Sequence, residues 1–310
     1  MKGLLTVLVF VISSNLFAQD VLPYTQQEVI YGRKDGMALT MVVLKPEKPN
    51  GKAIISLVSG GFNSSYNWLS LSYSFPQQPN YLKWSFPYLN EGYTVFLTMH
   101  STNRYPLPNI LRDVQRAIQF VRYNAVNYNL DTNRIAITGH SSGGNLALLA
   151  GLSADIKDIN SKDSISRMSS KVQAIIALSP PTNFLKPDAE QTSTQPVGAM
   201  AFAFNYTKLD TINKLQLPIE KTDERRRIDS LMSPLQIISK DAPPVYIING
   251  ANDKWVPVKS SQIFIDKYKS MGLECVFVVK EGEEHGLKGL SKDDFKNIFD
   301  WLDRIPKVKR

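Results

Sequence analysis

The stretch that decides the fold is residues 134–150, which read RIAITGHSSGGNLALLA. An apolar strand runs directly into a Gly-x-Ser-x-Gly motif centred on Ser141, and a run of helix formers follows at once. The motif alone is a weak signal, but between a buried strand and a helix it predicts a turn so sharp that the serine hydroxyl projects above a sheet. Gly139 and Gly143 lack the Cβ atoms that would collide where the strand and the helix pack closely. The stretch therefore predicts a serine nucleophile at position 141.

Apolar runs and helical stripes alternate along the rest of the chain. Amphipathic helical spacing recurs over residues 110–125, 264–271 and 295–302. Before them, Glu28–Leu44 predicts two strands joined at Lys34-Asp35-Gly36. The alternation predicts an α/β fold with a mostly parallel central sheet and helices on both faces. Six short runs have the composition of buried strands: Ala53–Val58, Thr94–Met99, Ile135–Thr138, Val172–Leu178, Val245–Ile248 and Cys275–Val279.

Two stretches break this rhythm. Residues 62–89 are rich in aromatic side chains, and two roles stay open for them, core packing or a wall of the substrate cleft. Residues 183–241 show no strand of their own, only patchy helical signals, and are too many for a loop between two strands. We expect them to form a helical insertion. Since the chain has no internal repeat, one domain over residues 19–310 is expected rather than two.

The first 18 residues have the pattern of a secretory signal peptide. Lys2 gives a positive start, Gly3–Ile12 is almost wholly apolar, and cleavage is expected after Ala18. The apolar stretch is too short to span a bilayer comfortably, so no stable membrane insertion is expected after its removal. The predicted location is the periplasm or the extracellular space.

Composition and motif content exclude several classes of protein. Hydrophobic residues make up 43% of the chain and charged residues 21%, which excludes a disordered chain. The formal net charge is +8, but the Lys and Arg residues are scattered, so no nucleic-acid partner is expected. Cys275 is the single cysteine, which excludes a disulfide within the chain. No metal-ligand cluster, phosphate loop or dinucleotide motif is present, and neither a metal nor another cofactor is expected.

A serine nucleophile needs a neighbouring base, and the chain has three histidines. His140 adjoins the serine on the turn, and its side chain should point elsewhere. His100 follows a strand that precedes the serine. His285 lies just beyond the last predicted strand, where loops of an open α/β sheet gather around a ligand, and it is the predicted base. Asp253 lies just beyond the carboxyl end of the predicted strand Val245–Ile248, and by the same reasoning it is the predicted acid.

Four other acidic residues are assigned no catalytic role. Glu281, Glu283 and Glu284 share a loop with His285 and cannot easily fold back onto it. Asp113 stands three residues before Arg116 on a predicted helix, which favours an ion pair between the two.

The order Ser141, Asp253, His285 is the order found in α/β-hydrolases. Over nearly the whole mature sequence, the chain resembles an α/β-hydrolase of the secreted esterase and lipase group that includes the feruloyl and acetyl-xylan esterase-like enzymes. Many such enzymes carry His-Gly-Gly-Gly where this chain has Val58-Ser59-Gly60-Gly61, so the leading His and one Gly are absent. The motifs that carry the resemblance are Ser59-Gly60-Gly61-Phe62, Asp113-Val-Gln-Arg116, Asp131-Thr-Asn-Arg134, the serine turn, Ser179-Pro180-Pro181, Asp253 with Val256-Pro257, and Glu284-His285-Gly286.

This resemblance implies a site and an activity. The oxyanion hole would use the backbone N–H groups of Ser142 and Gly61, with Gly60 as a further candidate. The activity would be hydrolysis of a small-molecule or carbohydrate-linked ester through a Ser-His-Asp triad and an acyl-enzyme. Two alternatives stay open: an amidase or peptidase of the prolyl oligopeptidase type, and a hydrolase-like binding protein without catalytic activity.

Overall fold

The computed structural model describes residues 23–72, 79–102, 105–185, 206–210, 212–213, 215–220 and 222–306. The predicted signal peptide lies outside these residues. Ten strands are present in the described part: Tyr24–Lys34 (β1), Met37–Pro46 (β2), Ala53–Leu57 (β3), Thr94–Thr98 (β4), Ile135–His140 (β5), Ala174–Leu178 (β6), Thr207–Asp210 (β7), Leu215–Pro218 (β8), Val245–Gly250 (β9) and Cys275–Lys280 (β10). The α-helices there are Tyr81–Asn90 (α1), Leu107–Tyr123 (α2), Ala125–Tyr128 (α3), Ser142–Leu152 (α4), Thr222–Leu231 (α5), Val258–Ser270 (α6) and Lys292–Arg304 (α7).

Eight of the strands form one central sheet in the order β1-β2-β4-β3-β5-β6-β9-β10. The pairs β1–β2 and β2–β4 are antiparallel, and every other neighbouring pair is parallel. The six predicted buried runs coincide with β3, β4, β5, β6, β9 and β10, with ends that differ by no more than two residues. The predicted α/β class and the mostly parallel sheet are confirmed.

The hydrophobic core lies on both faces of this sheet. Neighbouring residues of one strand supply opposite faces, as Ile55 and Ile54 of β3 do. On one face the core includes Ile118 of α2, and residues of α4 and α6 pack beside it. On the other face it includes Tyr88 of α1 and Phe299 of α7. The predicted helices on both faces are therefore confirmed.

The insertion predicted over residues 183–241 contains more than helix. Helix α5 lies in it, but β7 and β8 also pair there as an antiparallel two-stranded sheet. The expectation that this segment has no strand is wrong. Leu215 and Leu217 of β8 are exposed, so these four-residue strands lack the buried apolar run by which the other strands were recognised. Residues 186–205 of the insertion lie outside the described part.

The aromatic stretch contributes mainly to the core where the structure describes it. Phe62, Tyr81 and Tyr88 are buried, and Trp68, Trp84 and Phe86 are partly buried against the core, whereas Tyr66 is exposed. Helix α1, which the sequence pattern did not reveal, begins after Asn80, whose side chain accepts a hydrogen bond from the Lys83 N–H at 3.0 Å.

The predicted ion pair between Asp113 and Arg116 is wrong. Asp113 is buried and accepts hydrogen bonds from the Lys34 ammonium at 2.6 Å and from the Ser101 N–H at 3.0 Å. Arg116 pairs with Asp163 instead. Because a buried carboxylate is costly without a close cation and donors, the tertiary partners prevail over the neighbour on the same helix.

The part of the chain that the structure describes contains neither a membrane-spanning helix nor a metal-binding cluster. In those ranges, no helix combines the length and the apolar character that crossing a bilayer requires. The same ranges hold no group of three or more His, Cys, Asp or Glu side chains placed to bind a metal ion.

Candidate active site

Ser141 occupies the sharp turn between β5 and α4. Its backbone has φ 55° and ψ −121°, a conformation that side-chain-bearing residues rarely adopt. A Cβ atom on Gly139 would lie 2.4 Å from the backbone carbon and oxygen of Gly143, so the turn cannot close this tightly with a larger residue there. Strained residues of this kind cluster at functional sites, where the surrounding structure holds them in place. The predicted strand–turn–helix context of the motif is present.

His285 stands between Ser141 and Asp253. Its Nε2 lies 2.9 Å from the Ser141 Oγ, and its Nδ1 lies 2.8 Å from the Asp253 Oδ2. An ionised carboxylate only accepts hydrogen bonds, so Nδ1 carries the hydrogen and Nε2 accepts one from the serine hydroxyl. All three side chains are buried. His285 is thus within hydrogen-bond distance of both other residues singled out in the sequence, Ser141 and Asp253.

The sheet explains this convergence. Ser141 follows β5, Asp253 follows β9 and His285 follows β10. These strands are parallel, so their carboxyl ends meet at one edge of the sheet, where an open α/β fold gathers its ligand-binding loops.

Asp253 is held as a carboxylate by four hydrogen-bond and charge contributions. Burial by itself would raise the pKa of Asp253, but the hydrogen bond and charge of His285 lower it. The backbone N–H groups of Val256 and Trp255, at 2.8 Å and 2.9 Å from the Asp253 Oδ1, lower it further. The net pKa lies below the usual range of an aspartate. Asp253 is therefore ionised at neutral pH, as a group that fixes a histidine tautomer must be.

The segment predicted to form the oxyanion loop contains a tight turn over Gly60–Asn63. Gly60 and Asn63 exchange two backbone hydrogen bonds of 3.0 Å and 2.9 Å, and Gly61 and Phe62 between them both have positive φ. The Gly60 N–H, the further candidate for an oxyanion donor, donates to the Asn63 carbonyl at 3.0 Å and so closes the turn. Within the described residues the Gly61 N–H donates no hydrogen bond to the chain. Ser142 is the first residue of α4, where an N–H has no acceptor in the helix.

The side chains of Ser59 and Tyr81 hold the Gly60–Asn63 turn in place through hydrogen bonds that the sequence pattern did not predict. The Ser59 Oγ lies 2.9 Å from the Ser142 Oγ, which joins the loop to the first residue of α4. The Tyr81 hydroxyl donates to the Ser59 carbonyl at 2.6 Å and accepts from the Ser59 N–H at 3.2 Å. Ser59 stands where the His-Gly-Gly-Gly motif has its first glycine, and that departure from the motif was the one available signal for it.

His140 has a supporting position behind the triad. It is fully buried, and its Nε2 lies 2.6 Å from the backbone carbonyl oxygen of His285. Burial, followed by the charge of His285, lowers the pKa of His140 to about 3, so its ring is neutral at neutral pH. The Trp84 ring packs edge-to-face against it, with the ring centroids 5.8 Å apart. His100, the third histidine, is also buried and lies 2.6 Å from the Ser101 carbonyl oxygen through its Nδ1.

Among the described residues of the insertion, Met232 and Phe184 border the site. The Asn145 side chain on α4 donates to the carbonyls of Pro181 at 2.8 Å and Met232 at 3.0 Å. The Phe184 ring packs against Phe62 of the oxyanion loop, with the centroids 6.2 Å apart. The segment that follows β6 is therefore tied to α4, the helix that begins directly after Ser141.

Among proteins of known function, the chain is similar to esterases. It is 28% identical over 179 residues to the protein described as "Probable carboxylic ester hydrolase LipM" of Mycobacterium tuberculosis, a match that covers 54% of this chain and 36% of that protein. It is 26% identical over 286 residues to the acetylxylan esterase of Xylanibacter ruminicola, covering 89% of this chain and 50% of that enzyme. Across the curated relatives it matches, the chain spans between 29% and 51% of their length.

The fold has a close counterpart among solved structures. The acetyl ester-xyloside bifunctional hydrolase of Caldicellulosiruptor lactoaceticus superposes with a TM-score of 0.70 at 20% identity, covering 94% of this chain and all of that chain. The central sheet, the strand order and this likeness establish the α/β-hydrolase fold. The BD-FAE family model matches residues 46–268, well over half of the sequence. The chain therefore belongs to the BD-FAE family of α/β-hydrolases.

Proposed function

We propose that this chain is a serine hydrolase that cleaves carboxylic esters, with Ser141 as nucleophile, His285 as base and Asp253 as its orienting acid. The observation that carries the proposal is the position of the His285 imidazole, 2.9 Å from the Ser141 hydroxyl and 2.8 Å from the Asp253 carboxylate. Membership of the BD-FAE family and the esterase names of its relatives support the same chemistry.

The proposed acylation step uses these two short distances. The Ser141 Oγ attacks the ester carbonyl carbon while the His285 Nε2 takes the hydroxyl proton. The carbonyl oxygen becomes negative beside the N–H groups of Gly61 and Ser142. Each preorganised donor of this kind is worth about 3 kcal/mol of barrier. The imidazolium then gives its proton to the leaving oxygen, the C–O bond breaks, and the alcohol departs.

Deacylation reverses the roles. His285 takes a proton from a water molecule, whose oxygen attacks the acyl carbon, and then returns a proton to the Ser141 Oγ as the carboxylic acid leaves. Asp253 keeps the imidazole in the tautomer that presents a lone pair to Ser141 or water, and its charge stabilises the imidazolium in both steps.

The substrate class in this proposal is an acyl ester on a carbohydrate. It is supported by two relatives, the acetylxylan esterase of Xylanibacter ruminicola and the bifunctional acetyl ester-xyloside hydrolase of Caldicellulosiruptor lactoaceticus. An enzyme acting on such polymeric material would work outside the cytoplasm, which agrees with export by a signal peptide over residues 1–18. N-terminal sequencing of the protein recovered from a secreting host is expected to begin at Gln19.

An ester and amide panel tests the reaction. We expect the wild-type protein to hydrolyse p-nitrophenyl acetate and acetylated xylo-oligosaccharides far faster than a peptide anilide. Ser141→Ala is expected to abolish this turnover, whereas Ser270→Ala, which removes an exposed hydroxyl at the end of α6, leaves it unchanged. Faster cleavage of the anilide would favour the amidase alternative. Equal activity of the wild-type and Ser141→Ala proteins would refute the proposed nucleophile.

A further inference from the structure

We infer that Trp255 binds the alcohol half of the ester and makes the site selective for alcohols with a broad flat face, a pyranose ring above all. This inference rests on the proposed function and adds to it a residue that determines specificity.

Trp255 is held rigidly beside the triad. It lies two residues after Asp253, and its backbone N–H donates to the Asp253 Oδ1 at 2.9 Å. The next residue, Val256, donates to the same oxygen at 2.8 Å and is buried, which anchors the chain on the far side of the tryptophan. The backbone that carries the indole is therefore fixed by the same carboxylate that contacts His285.

The indole ring is turned toward the base and is open to solvent. Its plane lies 26° from the plane of the His285 ring, with the ring centroids 6.3 Å apart. Trp255 is 41% exposed, whereas His285 is 4% exposed and Trp301, in the core, 1%. A broad apolar surface thus adjoins the buried base at the point where the site meets solvent.

The chemistry of the reaction decides which half of the substrate reaches this surface. The His285 Nε2 delivers a proton to the leaving oxygen, so that oxygen must come to about 3 Å from Nε2. The group attached to the leaving oxygen then lies on the His285 side of the scissile bond. The acyl group lies beyond the carbonyl carbon, which is bonded to Ser141. The indole is therefore placed to contact the alcohol and not the acyl group.

An indole face discriminates strongly between alcohols. Its π-system is negative over the ring, so it attracts the weakly positive C–H groups that a pyranose ring presents on one face. The sugar hydroxyl groups project from the rim of that contact and stay hydrated. A two-carbon alcohol covers little of the indole and gains little from it. Trp255 therefore favours sugar esters over esters of small alcohols.

The test compares two alcohols at a constant acyl group. Acetylated xylo-oligosaccharide and ethyl acetate are assayed with the wild-type protein and with Trp255→Ala, Trp255→Phe and Tyr123→Ala, the last being an exposed aromatic residue at the end of α2. We expect Trp255→Ala to lower kcat/KM on the oligosaccharide about tenfold, mainly through KM, and on ethyl acetate less than twofold. Trp255→Phe should recover most of the lost kcat/KM, and Tyr123→Ala should leave kcat/KM on both substrates unchanged.

Three outcomes overturn the inference. An equal loss on both acetates would mean that Trp255 acts by positioning His285. An unchanged oligosaccharide rate would mean that the indole does not touch the substrate. If the loss of kcat/KM in Trp255→Ala grew with acyl length in a series of ethyl esters, Trp255 would contact the acyl group. Failure of the proposed function is separate, because it appears as hydrolysis that persists in Ser141→Ala, whatever residue stands at position 255.

Discussion

The His140 Nε2 donates a hydrogen bond to the backbone carbonyl of His285 across 2.6 Å, although the two residues lie 145 positions apart. A carbonyl oxygen can only accept, so Nε2 carries the hydrogen of the neutral His140 ring. The residue next to Ser141 thus holds the backbone of His285. One rigid unit, β5 with its turn, fixes the relative position of Ser141 and His285.

The His140 contact is testable by replacement. His140→Leu leaves the buried His285 carbonyl without a donor, which is expected to lower the unfolding free energy by about 1–3 kcal/mol and to reduce kcat. His140→Gln places an amide N–H near the position of Nε2 and should restore most of both losses. Urea denaturation and ester kinetics measure the two effects. If the His140→Leu protein were as active and as stable as wild type, the contact would contribute neither to activity nor to stability.

Acid should destabilise the protein through its buried histidines. Burial is the largest cause that lowers the pKa of His100 to about 4 and that of His140 to about 3, while unfolded histidine titrates near 6.5. As the pH falls from about 6 to about 4, the unfolded chain binds these protons and the folded chain does not. Above about pH 6.5 the two histidines are neutral in both states, and the free energy of unfolding is unaffected by them. Below that pH it falls by roughly 1.4 kcal/mol per pH unit for each histidine. Urea midpoints measured at several pH values should show a shallower slope for His140→Gln; parallel slopes would contradict the assignment of a neutral buried His140.

The turn of the nucleophile should not tolerate a side chain at Gly139. Gly139→Ala would bring a Cβ to within 2.4 Å of the Gly143 backbone, so strand and helix must separate. We expect a loss of about 3 kcal/mol in stability and loss of ester hydrolysis. Gly32→Ala is the matched control, because its Cβ would meet Leu39 at an ordinary 3.4 Å. If both alanine variants behaved alike, the close approach at the turn would not be what requires glycine.

The hydroxyl pair Ser59 and Ser142 should affect the transition state more than substrate binding. Ser59→Ala removes the 2.9 Å contact that joins the oxyanion loop to α4. A hydrogen bond of this kind is worth about 1 kcal/mol, so kcat should fall roughly fivefold with little change in KM. Ser70→Ala, which alters an exposed hydroxyl outside this contact, is the control. A rise in KM at constant kcat would place Ser59 in substrate binding instead.

The sequence was sufficient to identify the residues whose positions follow from strand ends. Ser141 lies in a Gly-x-Ser-x-Gly motif between an apolar strand and a run of helix formers, a context that predicts a strand–turn–helix. His285 and Asp253 follow from the rule that parallel strands present their carboxyl ends at one edge. The central sheet was predictable for the same reason, since its strands are continuous apolar runs.

Contacts made by backbone groups left no such pattern. The acceptor of His140 is a carbonyl, which every residue possesses, and the Gly60 N–H is used by a turn that closes on Asn63.

A tertiary contact also overruled a sequence pattern. Asp113 pairs with Lys34 rather than with its helix neighbour Arg116, because a buried carboxylate needs a close cation to offset the cost of its burial. The short exposed strands β7 and β8 lack the apolar signal by which strands are found.

Covalent labelling tests the central claim most directly. An organophosphonate probe reacts with a serine only where a base activates its hydroxyl, so the intact mass of the wild-type protein should increase by one adduct, and peptide mapping should place it on Ser141. Ser141→Ala should take up no probe, and labelling should fall steeply in a His285→Ala protein. A wild-type protein that hydrolyses esters yet carries no adduct on Ser141, or carries it on another residue, would contradict the triad of Ser141, His285 and Asp253.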